Sequence, residues 1–141
     1  MNRCLLLIQL LVICLSLGLL IGAAAAQNEA AKMFQGAWQA SMGEPKNKMY
    51  DLTIDAEKIS AKSVKDGKVV GEGTYKLDPA KKTIDVVGTG GEYKGKTFRG
   101  LYDFEGKTLK WCTGNANQAR PPKVAHEPGK GSYLLILQPR P

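Results

Sequence analysis

The chain has 141 residues, 43% hydrophobic and 23% charged, with 20 Lys+Arg against 13 Asp+Glu and a net charge of +7. This length makes a single domain. The basic excess is spread as Lys/Asp and Lys/Glu mixtures, with no polybasic block and no interleaved aromatics, which describes a solvated surface and excludes a nucleic-acid interface; weak attraction to anionic envelope polymers or lipid headgroups is compatible with it.

The first element in chain order is an export signal over residues 1–26. Arg3 supplies a positive n-region, and an apolar run from Cys4 to Ile21 is broken only by Gln9, Ser16 and Gly18. Ala24-Ala25-Ala26 then fits the small-x-small cleavage rule, which leaves Gln27 as the mature N-terminus and 27–141 as the working domain. An uncleaved anchor is the rival, because the run approaches the roughly 20 residues that span a bilayer. The alanine-rich site favours cleavage, and with it an extracytoplasmic protein, periplasmic or secreted, with no stable membrane insertion. Bulky Ile13 before Cys14 disfavours lipoprotein processing. Cleavage removes Cys4 and Cys14 and leaves Cys112 alone, so the domain is held by its core and not by disulfides.

After the signal, Asn28 to Phe34 suits a short helix of one or two turns, with Asn28 as its cap. From there the chain alternates as strands do. Ala37 to Met42 opens the series. Tyr50, Leu52 and Ile54 share one face, as do Ile59, Ala61 and Ser63. Asp66-Gly67 marks a tight hairpin, after which Val69, Gly71, Gly73, Tyr75 and Leu77 align. Asp78-Pro79 ends that strand, and Ile84 and Val86 mark the next. Gly88 to Gly95 reads as a flexible hairpin loop without the context of a phosphate loop. Phe98, Gly100, Tyr102 and Phe104 share a face, Glu105-Gly106 turns the chain, and Leu109 pairs with Trp111 in orientation. Tyr133 to Leu137 is apolar on both faces, as expected where another segment covers its outside. Eight strands joined by short turns, with one excursion from Gly114 to Gly131, predict an all-β, antiparallel, up-and-down barrel.

Gly36-Ala37-Trp38 after a short helix resembles the G-x-W signature of lipocalins, and Arg140 lies where that superfamily often places a basic residue on the tryptophan. The resemblance implies a structural plug, with Trp38 closing one barrel end and the Arg140 guanidinium stacked on its face. A longer series occurs in order: Gly73-Thr74-Tyr75-Lys76-Leu77-Asp78-Pro79, Lys82-Thr83-Ile84-Asp85, Gly95-Lys96-Thr97, Gly100-Leu101-Tyr102, Leu109-Lys110-Trp111-Cys112, Arg120-Pro121 and Pro128-Gly129-Lys130-Gly131. It is similar to an uncharacterised lipocalin-like domain family abundant in planctomycete bacteria, and covers about Phe34 to Leu137. The family implies a small exported barrel and no agreed activity. One departure is Val124, where the family pattern expects an aromatic a few residues after Arg120-Pro121.

Candidate chemistry is sparse. A reactive Cys112 needs a depressed pKa and a base, whereas the commoner fate of cysteine is inert burial. His126 is the only histidine, and with one mature cysteine and no clustered carboxylates no closed zinc site can be assembled. Asp51, Asp85 and Asp103 fall on outward positions, so no carboxylate pair for glycosidase-type work stands out. Arg120 in the long loop either reaches over a barrel mouth to an anionic group or internal carboxylate, or anchors the loop on backbone carbonyls.

The reading that results is a non-enzymatic binding module without a cofactor. It takes a small apolar or amphipathic ligand among the inward residues Tyr75, Phe98, Tyr102 and Trp111, with Arg120 as a further contact. Core packing is the competing role for those aromatics, since eight strands can be filled by side chains alone. The alternative function is an envelope interaction or inhibitor protein acting through its loops.

Overall fold

The computed structural model describes residues 24–42, 48–127 and 129–141. The predicted signal, apart from its last three residues, and Pro128 of the Pro-Gly-Lys-Gly segment lie outside the described residues. Among the described residues no helix is long and apolar enough to cross a membrane.

Eight antiparallel strands close into a barrel in strict sequence order: β1 (Gly36–Met42), β2 (Lys48–Ile54), β3 (Lys58–Ser63), β4 (Val69–Asp78), β5 (Thr83–Gly88), β6 (Thr97–Glu105), β7 (Thr108–Gly114) and β8 (Ser132–Pro139). Closure comes from β8 returning beside β1, with Ala40 opposite Leu137. Every strand therefore has two neighbours, and no edge is left to recruit another chain. The turn chemistry is that read from the sequence. Gly67 takes φ +68° in the β3–β4 turn and Gly106 takes φ +60° in the β6–β7 turn, both in the left-handed region where a Cβ is penalised.

A helix, α1 (residues 24–34), precedes β1. It is longer than Asn28 to Phe34, and Asn28 lies inside it, because Ala24, Ala25 and Ala26 are strong helix formers. It also runs across the predicted cleavage boundary. At its C-terminal end the Trp38 indole donates to the Phe34 carbonyl at 2.8 Å, satisfying one of the acceptors that a helix end leaves open.

Direction divides the barrel into two ends. The α1 side collects the turns β2–β3, β4–β5 and β6–β7, while the opposite side collects β3–β4, β5–β6 and β7–β8. The α1 end is packed solid. Phe34 is fully buried there, with its ring edge-on to Tyr102 (4.7 Å between centroids) and Phe104 (5.4 Å) and stacked toward Tyr75 (6.4 Å). Around this group lie Trp38, Ile54, Leu77, Ile84, Leu109 and Leu137. Phe34 is thus the central plug, and Trp38 is the side chain that ties it down.

Simple alternation fails at one place. A β-bulge between Ala61 and Lys62 on the β3–β4 ladder pairs Lys62 with Val69, so that Val70 is the extra residue. Val69 is consequently 53% exposed instead of sharing the face of Gly73 and Tyr75, and Val70 faces the barrel opening.

Candidate binding cavity

The end opposite α1 is hollow. A cavity of about 630 Å³ occupies it, walled by Leu52, Ile59, Ala61, Val86, Phe98, Trp111 and Leu135. Its rim is formed by Met42, Lys48, Tyr50, Val70, Glu72, Tyr93, Asn115 and Tyr133. Tyr133 and Val70 are also solvent-exposed, so the cavity opens at the barrel mouth.

The hollow follows from the small residues that end the inward faces of β3, β4, β5 and β7 at the mouth. From base to mouth, β4 presents Leu77, Tyr75, Gly73 and Gly71, and β3 presents Ile59, Ala61 and Ser63. On β5 the order is Ile84, Val86 and Gly88, and on β7 it is Leu109, Trp111 and Thr113. Large residues meet across the base and fill it. Small ones at the mouth leave the space between opposite walls empty.

The β5–β6 connection shapes the mouth. It is a single 3-10 turn, Gly91–Tyr93, held by Gly95 N–H donating to the Gly88 carbonyl and Gly88 N–H donating to the Lys96 carbonyl, each at 2.9 Å. A Cβ on Gly88 would collide with the Tyr93 carbonyl, so glycine permits this close return. The turn lays the Tyr93 ring beside Gly71, edge-on to Phe98 at 5.5 Å. Lys96 sits 5.8 Å from the ring centre. The Glu92 carboxylate beside it, burial, and then the nearby Tyr50 and Tyr133 phenols raise the Tyr93 hydroxyl above its ordinary pKa. Three phenols on three elements therefore converge at the opening.

The candidate ligand residues divide. Phe98 and Trp111 line the cavity. Tyr75 and Tyr102 point inward but lie at the packed base around Phe34, the former donating its hydroxyl to the Asp55 carbonyl at 2.6 Å. Burial, ahead of Asp55 and Asp78 respectively, raises both phenols above their usual pKa. Trp111 is 7% exposed and lies across Gly100, where a Cβ would come within 2.6 Å of its Nε1. That indole N–H has no acceptor within reach.

Arg120 is on the outer wall. It donates to the Gly100 carbonyl and sits 2.8 Å from Asp85 Oδ1, a charge contact that lacks the alignment of a hydrogen bond. It anchors the long loop and does not reach the mouth. Arg140 likewise pairs with Asp51 at 2.9 Å. No stacking on Trp38 is present, because Asp51 lies on the outer face of β2 and draws the guanidinium there. The remaining sequence-predicted groups also stand outside the cavity. Cys112 is fully buried under the β7–β8 loop, with Sγ 3.4 Å from the Ala125 carbonyl. Burial first, with Glu127 adding in the same direction, pushes its thiol up despite hydrogen bonds that lower it. His126 is half-buried in the same loop. Among the described residues no three His, Cys, Asp or Glu side chains gather as a metal would need.

This loop is a strap fixed to the wall. Asn117, at φ +62°, donates its N–H to the Thr97 carbonyl at 2.7 Å and accepts the Thr97 N–H on Oδ1 at 2.9 Å. It covers Cys112 on the outer face of β7. None of the family models, curated proteins or solved structures compared with the chain matches it.

Proposed function

We propose that the protein is an extracytoplasmic binding protein of lipocalin-like type that holds a small apolar or amphipathic molecule in the open half of its barrel. The observation that carries this reading is the cavity itself. Its volume of about 630 Å³ lies within the range of roughly 300–1,000 Å³ typical of small-molecule sites, and its walls are aliphatic and aromatic as such sites are. Apart from the Trp111 indole N–H in the wall, charged and phenolic groups stand at the rim, as Lys48, Tyr50, Glu72 and Tyr133. An amphipathic ligand fits with its apolar part down on Trp111 and its polar end at these residues. Binding without turnover is supported by Cys112, whose thiol faces the strap and is kept protonated by burial.

Titration with anilinonaphthalene sulfonate, an apolar dye with an anionic end, tests the proposal. The chain from Gln27 is a suitable protein, because among the described residues the buried core runs from Phe34 to Leu137, with Ala30 and Ala31 packed against it. Dye fluorescence should rise saturably with one site, and Ala61→Phe, which places a ring inside the cavity, should abolish the rise while far-UV circular dichroism stays unchanged. Equal dye binding by the parent and Ala61→Phe would defeat the cavity as the site.

A further inference from the structure

The two ends of the barrel differ in more than filling. At the packed end lysines and acids balance: Lys82 meets Asp103 and Lys110 meets Glu105, each at 2.6 Å, Lys81 lies 3.8 Å from Asp78, and Lys32, Lys58 and Lys107, which close no ion pair among the described residues, stand against Glu29, Asp55 and Glu57. At the mouth, Lys48, Lys65, Lys68, Lys94 and Lys96 have no carboxylate within ion-pair distance among the described residues. Among the described residues they stand against three acids on the same rim, Asp66, Glu72 and Glu92, so the described face is basic on balance.

Exposed apolar side chains follow the same division. Among the described residues six large hydrophobic side chains are exposed, and of these only Met33 belongs to the α1 end. Val64, Val69 and Val70 surround the β3–β4 turn, Val87 precedes the β5–β6 turn and Tyr133 opens β8. Solvent exposure of isolated apolar residues is ordinary, but their collection on one face is what interaction surfaces show.

We propose that the barrel mouth docks on an anionic lipid bilayer. Unpaired lysines interspersed with short apolar side chains and a tyrosine match the headgroup layer, where positive charge meets anionic lipid and aromatic rings settle at the boundary. The cavity opens through the same face, so a docked barrel offers its hollow directly to the membrane. The contact is peripheral: the apolar groups are single residues at turns, too few to insert a strand. It stands on the charge and apolar asymmetry alone and does not depend on the cavity being occupied.

Sedimentation with vesicles tests it, using the chain from Gln27 and vesicles of phosphatidylcholine alone or mixed equally with phosphatidylglycerol. Binding to the mixed vesicles is expected, with little to pure phosphatidylcholine and a decline as salt screens the charges. One lysine near an anionic surface is worth about fivefold in partitioning. Lys65→Gln with Lys68→Gln should therefore lower binding by more than about tenfold, and Val64→Ser with Val69→Ser should lower it as well. Lys81→Gln with Lys107→Gln, at the packed end, should match the parent. The proposal is overturned by absence of binding to the mixed vesicles, or by equal loss from packed-end and mouth substitutions. Retention on polyglutamate that the valine substitutions leave untouched, with no vesicle binding, would assign the face to a soluble acidic polymer instead and also overturn it. Ala61→Phe should keep its vesicle binding, so failure of the ligand site and failure of the docking face are read separately.

Discussion

Phe34→Ala removes the ring that closes the barrel, and its cost can be worked from the surroundings. The side chain is fully buried, and truncating a buried phenylalanine costs about 3–5 kcal/mol. Two edge-on partners, Tyr102 at 4.7 Å and Phe104 at 5.4 Å, each add about 0.5–1.5 kcal/mol beyond area alone. The loss therefore belongs at the upper end of that range, about 4–5 kcal/mol. It is a large share of the roughly 5–15 kcal/mol that holds a domain folded. The Trp38 hydrogen bond does not compensate, because its acceptor is the Phe34 backbone carbonyl, which the substitution keeps. Urea unfolding followed by circular dichroism should show the midpoint falling by about 2 M, given slopes of roughly 1–3 kcal/mol/M. Phe34→Leu should lose less than half as much. A loss below about 1 kcal/mol for Phe34→Ala would refute the reasoning, since the strands alone would then hold the packed end.

Two further outcomes follow from the mouth and the strap. Gly88→Ala forces the Tyr93 carbonyl to move, at a cost of about 1–3 kcal/mol, and should speed dye dissociation in stopped-flow measurements by disturbing the rim. For Cys112 the folded-state thiol is raised above 9.0, so the unfolded chain loses its proton first. Its contribution is complete below about pH 9 and is lost as pH rises through the folded value; Tyr75 and Tyr102 act in the same direction from 10.0. The urea midpoint should accordingly fall above about pH 9, and Cys112→Ala should remove the earliest part of that fall. Iodoacetamide should modify Cys112 only in the unfolded protein.

The strands were legible because period-two alternation and the turn pairs Asp66-Gly67 and Glu105-Gly106 act locally, over a few residues. Alternation breaks at the Ala61/Lys62 bulge, where one extra residue exchanges the roles of Val69 and Val70, and nothing in the residue types announces it. The cavity was written in the sequence as well, in the taper from Leu77 and Tyr75 to Gly73 and Gly71 on β4 and from Ile84 to Gly88 on β5. Reading inward aromatics as lining misses this, because orientation alone does not say which side chains the Phe34 plug reaches: Tyr75 and Tyr102 pack on its ring, whereas Phe98 and Trp111 border the hollow. For Arg120 the sequence offered the loop anchor on backbone carbonyls, which the Gly100 carbonyl provides, but not its carboxylate partner; Arg140 and Tyr93 lay beyond such reasoning. All three positions depend on the path of a loop or terminus and on which carboxylate or glycine it passes, Asp85, Asp51 and Gly71 respectively.

Native mass spectrometry of the protein purified from its own host, compared with Ala61→Phe prepared identically, tests the central claim most directly. A small molecule is expected on the parent, released by denaturation and absent from Ala61→Phe. Bare protein in both samples, together with equal dye binding by the two, would contradict it.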